Sequence, residues 1–170
     1  MKTLRTVFLL ACFTIGVAFT AHAQTQLGGG LIYGSEIEKL GIRAEGIHSI
    51  NDDFRVAADI SYFFPDKESG GGFDISATWW AINFNGHYLF VNQESLRAYA
   101  LAGLNIGIIT AKASFMGESE SESESELGLN LGGGIEIPVN TVSLFGELKA
   151  AGLGGDGEQL VLGAGVRVRI

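Results

Sequence analysis

In QLVLGAGVRVRI (159–170) every second residue is apolar: Leu160, Leu162, Ala164, Val166, Val168 and Ile170 share one face. Val161, Gly163, Gly165, Arg167 and Arg169 share the other, which is small or charged. A period of two places successive side chains on opposite faces of a β-strand. The same division recurs in FRVAADISYFF (54–64), where Phe54, Val56, Ala58, Ile60, Tyr62 and Phe64 oppose Arg55, Ala57, Asp59, Ser61 and Phe63. It recurs in LGIRAEGI (40–47), TWWAINFNGHYLF (78–90), LGLNLGGGIEI (127–137) and TVSLFGELKA (141–150). With QLGGGLIYG (26–34) and LRAYALAGLNIGII (96–109) the count is eight strands, and no mature segment holds a helical period over three turns.

The connections alternate in character. Asn51-Asp52-Asp53, Asn92-Gln93-Glu94-Ser95 and Pro138-Val139-Asn140 are short. Between them lie more acidic connections: Ser35-Glu36-Ile37-Glu38-Lys39, PDKESGGG with its flanks, the run ESESESESE (118–126) and GGDGE. Short turns at one end and polar loops at the other are the plan of an outer-membrane barrel, in which both termini of an even strand count lie at the periplasmic end. The fold class expected is therefore all-β, an eight-stranded antiparallel transmembrane β-barrel with short periplasmic turns and longer acidic external loops. Phe54, Tyr88 and Phe90 near the short turns, and Tyr33, Tyr62, Phe64, Trp79, Trp80 and Phe115 toward the other end, are candidate interfacial girdles. The Glu-Ser run is expected to be the third external loop, extended by repulsion among Glu118, Glu120, Glu122, Glu124 and Glu126.

The chain start changes the compartment. MKTLRT, the apolar VFLLACFTIGVAFT and the small residues of AHAQ form a secretory signal, with cleavage expected after Ala23. The apolar run is shorter than the roughly 20 residues a spanning helix needs. Leu9-Leu10-Ala11-Cys12 resembles a lipobox, but too few apolar residues precede it and the apolar run continues to Thr20. Two regions follow: 1–23, the signal peptide, and 24–170, one barrel domain exported to the bacterial outer membrane. The mature chain keeps no cysteine, so hydrogen bonds and packing alone hold it. Loss of Lys2 and Arg5 moves the formal charge from −8 to −10, which argues against nucleic acid as a partner.

With apolar residues outside, the second face lines the lumen. The long residues there are Arg43, Glu45, Arg55, Asp59, Arg97, Glu136, Glu147, Lys149, Arg167 and Arg169. Charges enclosed by a low-dielectric wall must pair or meet water, so an internal ion-pair network is expected, with Arg167 as a partner for Glu147. Glycines 28, 30, 103, 107, 128, 132, 134, 163 and 165 leave it room. An eight-stranded interior is just filled by side chains, so a polar plug is expected rather than a wide pore.

These segments resemble the small eight-stranded outer-membrane β-barrels, the opacity-protein and adhesin-like "porin family", in the form common in Bacteroidetes-type bacteria. The residues that carry the resemblance are AHAQ, LGGGLIYGSEIEKLGIRAEG, FRVAADISYFFP, LRAYALAGLNIG and the closing LGAGVRVRI, so it spans the mature chain. The last strand ends in Ile170 where the family's assembly signal has Phe. The resemblance implies a monomer in outer-membrane lipid and lipopolysaccharide, delivered by the barrel assembly machinery, with a role in adhesion or membrane integrity. A narrow ion or small-solute channel is the alternative. A soluble lipocalin-like carrier is third, and it requires the inverse face assignment.

Candidate chemistry is sparse. His48 and His87 lack a serine and carboxylate at catalytic spacing, so no enzyme activity and no catalytic residue is assigned. No cofactor is expected. The Glu-Ser run lacks the converging ligands and turn glycine of a calcium loop, leaving a diffuse cation attraction at Glu118, Glu120, Glu122, Glu124 and Glu126. No Gly-Lys-Ser/Thr follows the GGG triplets, so they are no phosphate loops.

Overall fold

The computed structural model describes residues 25–70, 73–115 and 118–170, with side chains described except at 66–70, 73–75, 113–115 and 118–120. The expected signal peptide (1–23) lies outside the described residues. The strands are β1 (Thr25–Gly34), β2 (Lys39–Ser49), β3 (Phe54–Gly70), β4 (Phe73–Asn92), β5 (Arg97–Phe115), β6 (Glu118–Val139), β7 (Val142–Leu153) and β8 (Gln159–Arg169). Each pairs antiparallel with its sequence neighbours, and β1 pairs with β8 from Gln26↔Arg169 to Gly34↔Val161, closing the barrel.

Closure fixes what the alternation means. Leu31, Leu131 and Leu162 stand outside, the last 57% exposed, whereas Arg167 on the opposite face of the same strand is wholly buried. Leu27, Ile42, Ile60, Phe84, Leu104, Leu129, Ile135, Leu144 and Leu148 continue the apolar exterior around the barrel. The lumen holds Arg43, Glu45, Asp59, Glu136, Glu147 and Lys149, all buried. A lipocalin-like carrier needs a greasy lumen and a polar outside, and this barrel has the reverse.

The strands differ in length, and here the structure corrects the reading of the third external loop. β1, β2, β7 and β8 have 10–12 residues, but β3 to β6 have 17–22. ESESESESE is the start of β6, paired residue for residue with β5 from Phe115↔Glu118 to Gly107↔Glu126. PDKESG likewise belongs to β3, paired with β4. Magnitudes explain why repulsion did not prevent this. Carboxylates two residues apart on a strand face are ~7 Å apart, worth ~0.6 kcal/mol in water before salt screening. Each ladder hydrogen bond contributes about 0.5–1.5 kcal/mol in return. The four long strands therefore rise past the others as a projecting sheet; at about 3.3 Å per residue, 118–126 extend for about 30 Å along β6.

The aromatics need one correction. Phe54 and Tyr88 lie 5.1 Å apart on the outside near the chain termini, with Phe90 exposed farther along β4 toward the β4–β5 turn. Tyr62 and Trp80 lie 4.6 Å apart outside toward the projection, near Phe64. Trp79 is not a girdle residue: it turns inward and packs against the buried cluster of Ile32, Phe63, Ala151 and Val161. Adjacent residues of a strand face opposite ways, so Trp79 and Trp80 cannot share an interface. The Phe115 side chain lies outside the described residues.

Leu131 sits midway along the apolar part of β6. Leu131→Arg should cost about 2–4 kcal/mol in lipid vesicles, measured by urea unfolding of the refolded protein. Ser123→Arg, above the apolar belt, should change stability by no more than about 0.5 kcal/mol.

Candidate functional site

The lumen is stacked in layers along the barrel axis. At the terminal end a cavity of about 310 Å³ is lined by Gln26, Ser49, Asp52, Arg55, Arg97 and Arg169, among others. Arg169 has the inward parity expected of it but stands exposed at this mouth.

Above the mouth lies the ion-pair layer, centred on Arg167 from β8. Its Nε and Nη2 donate to the two oxygens of Glu45 at 2.7 and 3.3 Å, and its Nη1 donates to Glu136 at 3.1 Å. Nη2 also donates to the Tyr99 hydroxyl at 3.1 Å, and the guanidinium lies 4.1 Å from the centre of the Phe145 ring. Fork geometry and a flat cation suit arginine to this position, since a lysine ammonium could neither grip both oxygens nor stack. Glu136, with no exposed surface, also accepts from Arg55 and Arg97 at 2.8 Å each and from Gln26 at 3.4 Å.

Glu147 was expected to pair with Arg167, but that contact is the long one, 3.6 Å. Its short partners are Arg43 at 2.5 Å and the Tyr99 hydroxyl, which donates at 2.7 Å. The expected pair is thus present, but Arg43 comes closer: in the β7–β8 register Glu147 faces Gly163 and Arg167 faces Ser143, and long side chains reach across the lumen. Lys149 lies 3.5 Å from Asp59, which also accepts from Ser61 and Asn83. Asn83 in turn accepts from Asn105 and Asn130 at 2.8 and 2.9 Å, forming an amide layer.

One participant, Tyr99, escapes the charge-based reading. Tyr99 bridges Arg167 and Glu147 and stacks on the His87 ring at 4.6 Å. It shares strand parity with Arg97, and that alternation was the available signal. His87 accepts from Arg55 Nε at 3.1 Å, and His48 lies 3.1 Å from the Thr25 hydroxyl.

Glycines make the layer possible. A Cβ on Gly134 would lie 2.5 Å from the Tyr99 hydroxyl, and one on Gly28 would lie 2.7 Å from a Glu45 oxygen. The wall is thin where the charged residues are thickest.

At the projecting end a cavity of about 140 Å³ lies between the cluster of Phe63, Trp79 and Val161 and the polar floor of Asn105 and Lys149. Of the glutamates in the run, Glu126 has a structural role: it accepts from the backbone N–H groups of Gly157 and Asp156 at 2.9 and 3.3 Å, tying β6 to the β7–β8 connection. Glu122 and Glu124 are exposed, and the side chains of Glu118 and Glu120 lie outside the described residues. Among the described residues no group of three or more His, Cys, Asp or Glu is arranged to hold a metal.

Arg167→Met should destabilise the folded barrel by about 3–5 kcal/mol, because buried Glu45 keeps only the 3.5 Å contact to Arg43 and Glu136 loses one of its three arginines. Adding Glu45→Gln should recover more than about 1 kcal/mol of that loss. Urea titrations of the single and double variants, followed by heat-modifiable gel migration, measure both.

No family model matches the sequence, and no curated protein matches it. Solved structures do. A major outer membrane protein from Thermus thermophilus matches with a TM-score of 0.68 at 14% identity, over 88% of this chain and 100% of that one. The attachment invasion locus protein Ail of Yersinia pestis, in complex with the heparin analogue sucrose octasulfate, matches at 0.61 and 19% identity, over 86% and 99%. Neisserial surface protein A matches at 0.56 and 20% identity, over 86% and 96%. The chain shares the closed eight-stranded fold of these outer-membrane and surface proteins, over 96–100% of their length.

Proposed function

We propose that this chain is an exported, monomeric outer-membrane barrel whose role is structural and surface-interactive, contributing to membrane integrity or adhesion. The observation that carries the reading is the pairing of an apolar exterior with a lumen crossed by the Arg167–Glu45–Glu136 layer. Such a barrel is stable in acyl chains and is plugged, so it serves as an anchor. What it anchors is the projecting sheet of β3 to β6. The anionic lipopolysaccharide surface and its bridging divalent ions surround the base of that sheet, and the barrel assembly machinery inserts the chain. The segments quoted above for their resemblance to Bacteroidetes-type proteins support the same placement.

The narrow-channel reading is disfavoured by five bases and four acids that fill the cross-section between the two end cavities. The heparin analogue bound by Ail is polyanionic, whereas the exposed side chains of this β6 projection are glutamates and serines. A ligand of that sign is therefore not carried over to this chain.

Intact cells test the placement. A glutamyl endopeptidase should cut the Glu-Ser segment from outside while the barrel resists, and the protein should stay in the membrane through carbonate washing. Release by carbonate would overturn the membrane reading. Discrete single-channel openings in planar bilayers would replace the anchor with a channel.

A further inference from the structure

The projection has two edges, and they are built differently. On the β3 side, pairing with β2 ends at Gly41↔Phe63, and the strand beyond carries Pro65 and a register shift between Phe63 and Asp66. Proline and irregular register are devices that blunt a sheet edge. On the β6 side, pairing with β7 begins only at Leu129↔Leu153, while pairing with β5 runs without a shift to Glu118. Glu126 is held by the β7–β8 connection. Residues 118–125 thus form a regular strand, without proline or bulge, whose β5-distal backbone groups have no strand partner among the described residues.

Charge selects what can pair there. Glu122 and Glu124 share the parity of inward-facing Glu126, and Ser121, Ser123 and Ser125 share that of outward-facing Leu127. Their opposite numbers in β5 on the glutamate face are Ala111 and Ile109, so no base in that strand neutralises them directly. Lys112 pairs with Ser121, on the other face. A second copy of this chain would bring its own glutamates against these, and like charges directly opposite destabilise a pair. Lysine or arginine at alternate positions of an incoming strand would meet Glu122 and Glu124, and its backbone would complete the ladder.

We propose that the 118–125 edge of β6 is a docking site for an extended cationic segment of a partner protein, basic at alternate positions, which adds as a further strand of the projecting sheet. The proposal rests on the surface-interactive reading above and names the chemistry of its partner.

The test uses the full mature chain refolded in detergent at physiological salt. Three fluorescent ten-residue peptides are titrated by anisotropy: one alternating lysine and threonine, one of the same composition with its lysines in a block, and the alternating one N-methylated at every second residue. The alternating peptide should bind at least about tenfold more tightly than either control. The double variant Glu122→Lys/Glu124→Lys, which lies above the apolar belt and should keep heat-modifiable migration, should lose that preference and take up an alternating glutamate-threonine peptide instead. Equal binding of the alternating and block peptides would reduce the run to a diffuse charge cloud and overturn the proposal. So would undiminished binding of the methylated peptide, no binding at all, or sedimentation of the protein as an edge-paired dimer. None of those results bears on protease access in intact cells, so the anchor reading fails or stands separately.

Discussion

A guanidinium with no access to solvent holds this barrel in one arrangement. Arg167 is wholly buried and spends its donors on Glu45, Glu136 and Tyr99. Burying such a charge costs several kcal/mol unless every partner is in place, so the arrangement is tolerated only when complete. Completeness recruits most of the wall: Glu136 in β6 gathers Gln26 from β1, Arg55 from β3, Arg97 from β5 and Arg167 from β8. Sliding β3, β5, β6 or β8 by one residue would turn its charge toward the exterior and an apolar residue inward. The ion pairs thus set register as well as filling space, and the apolar exterior follows from the same parity.

Lumen and wall are fitted to one another. Eight strands enclose too little volume for arginines and tyrosine alongside ordinary side chains, and the inward positions beside the charged layer are glycine where the large groups press closest, at Gly28 against Glu45 and Gly134 against Tyr99. Aromatic rings complete the match, since Phe145 and Tyr99 offer their faces to guanidinium planes. The result is a solid stave-built post. Solidity matters for what the long strands do above it, because a projecting sheet can be held at a fixed angle only by a rigid base.

Structures with 14–20% identity share this fold over 96–100% of their length. Physically this is unsurprising. An exterior in contact with acyl chains asks only for apolar residues at alternate positions, and many sequences satisfy that. What distinguishes this chain lies where lipid makes no demand, in the lumen layers and in the acidic projection. Those are the regions from which its own partners must be argued.

The eight strands, their order and the outward placement of Leu31, Leu131 and Leu162 follow from period-two alternation, because a strand with one face in an apolar medium has a single allowed orientation. The inward placement of Arg43, Glu45, Arg55, Asp59, Glu136, Glu147, Lys149 and Arg167 follows from the same parity. Pairing did not follow: Glu147 takes Arg43 at closest range, and Tyr99 links the two halves of the network, because contacts across a lumen depend on shear and side-chain reach rather than on neighbouring positions. Nor did the strand character of ESESESESE, which local composition argues against. Its glutamates and serines have no preference strong enough to form a strand alone; the β5 partner already held in place by the barrel supplies the ladder. Alternation along the chain thus determined which way side chains face, while only closure of the barrel decided which of them meet and how far the sheet continues beyond it.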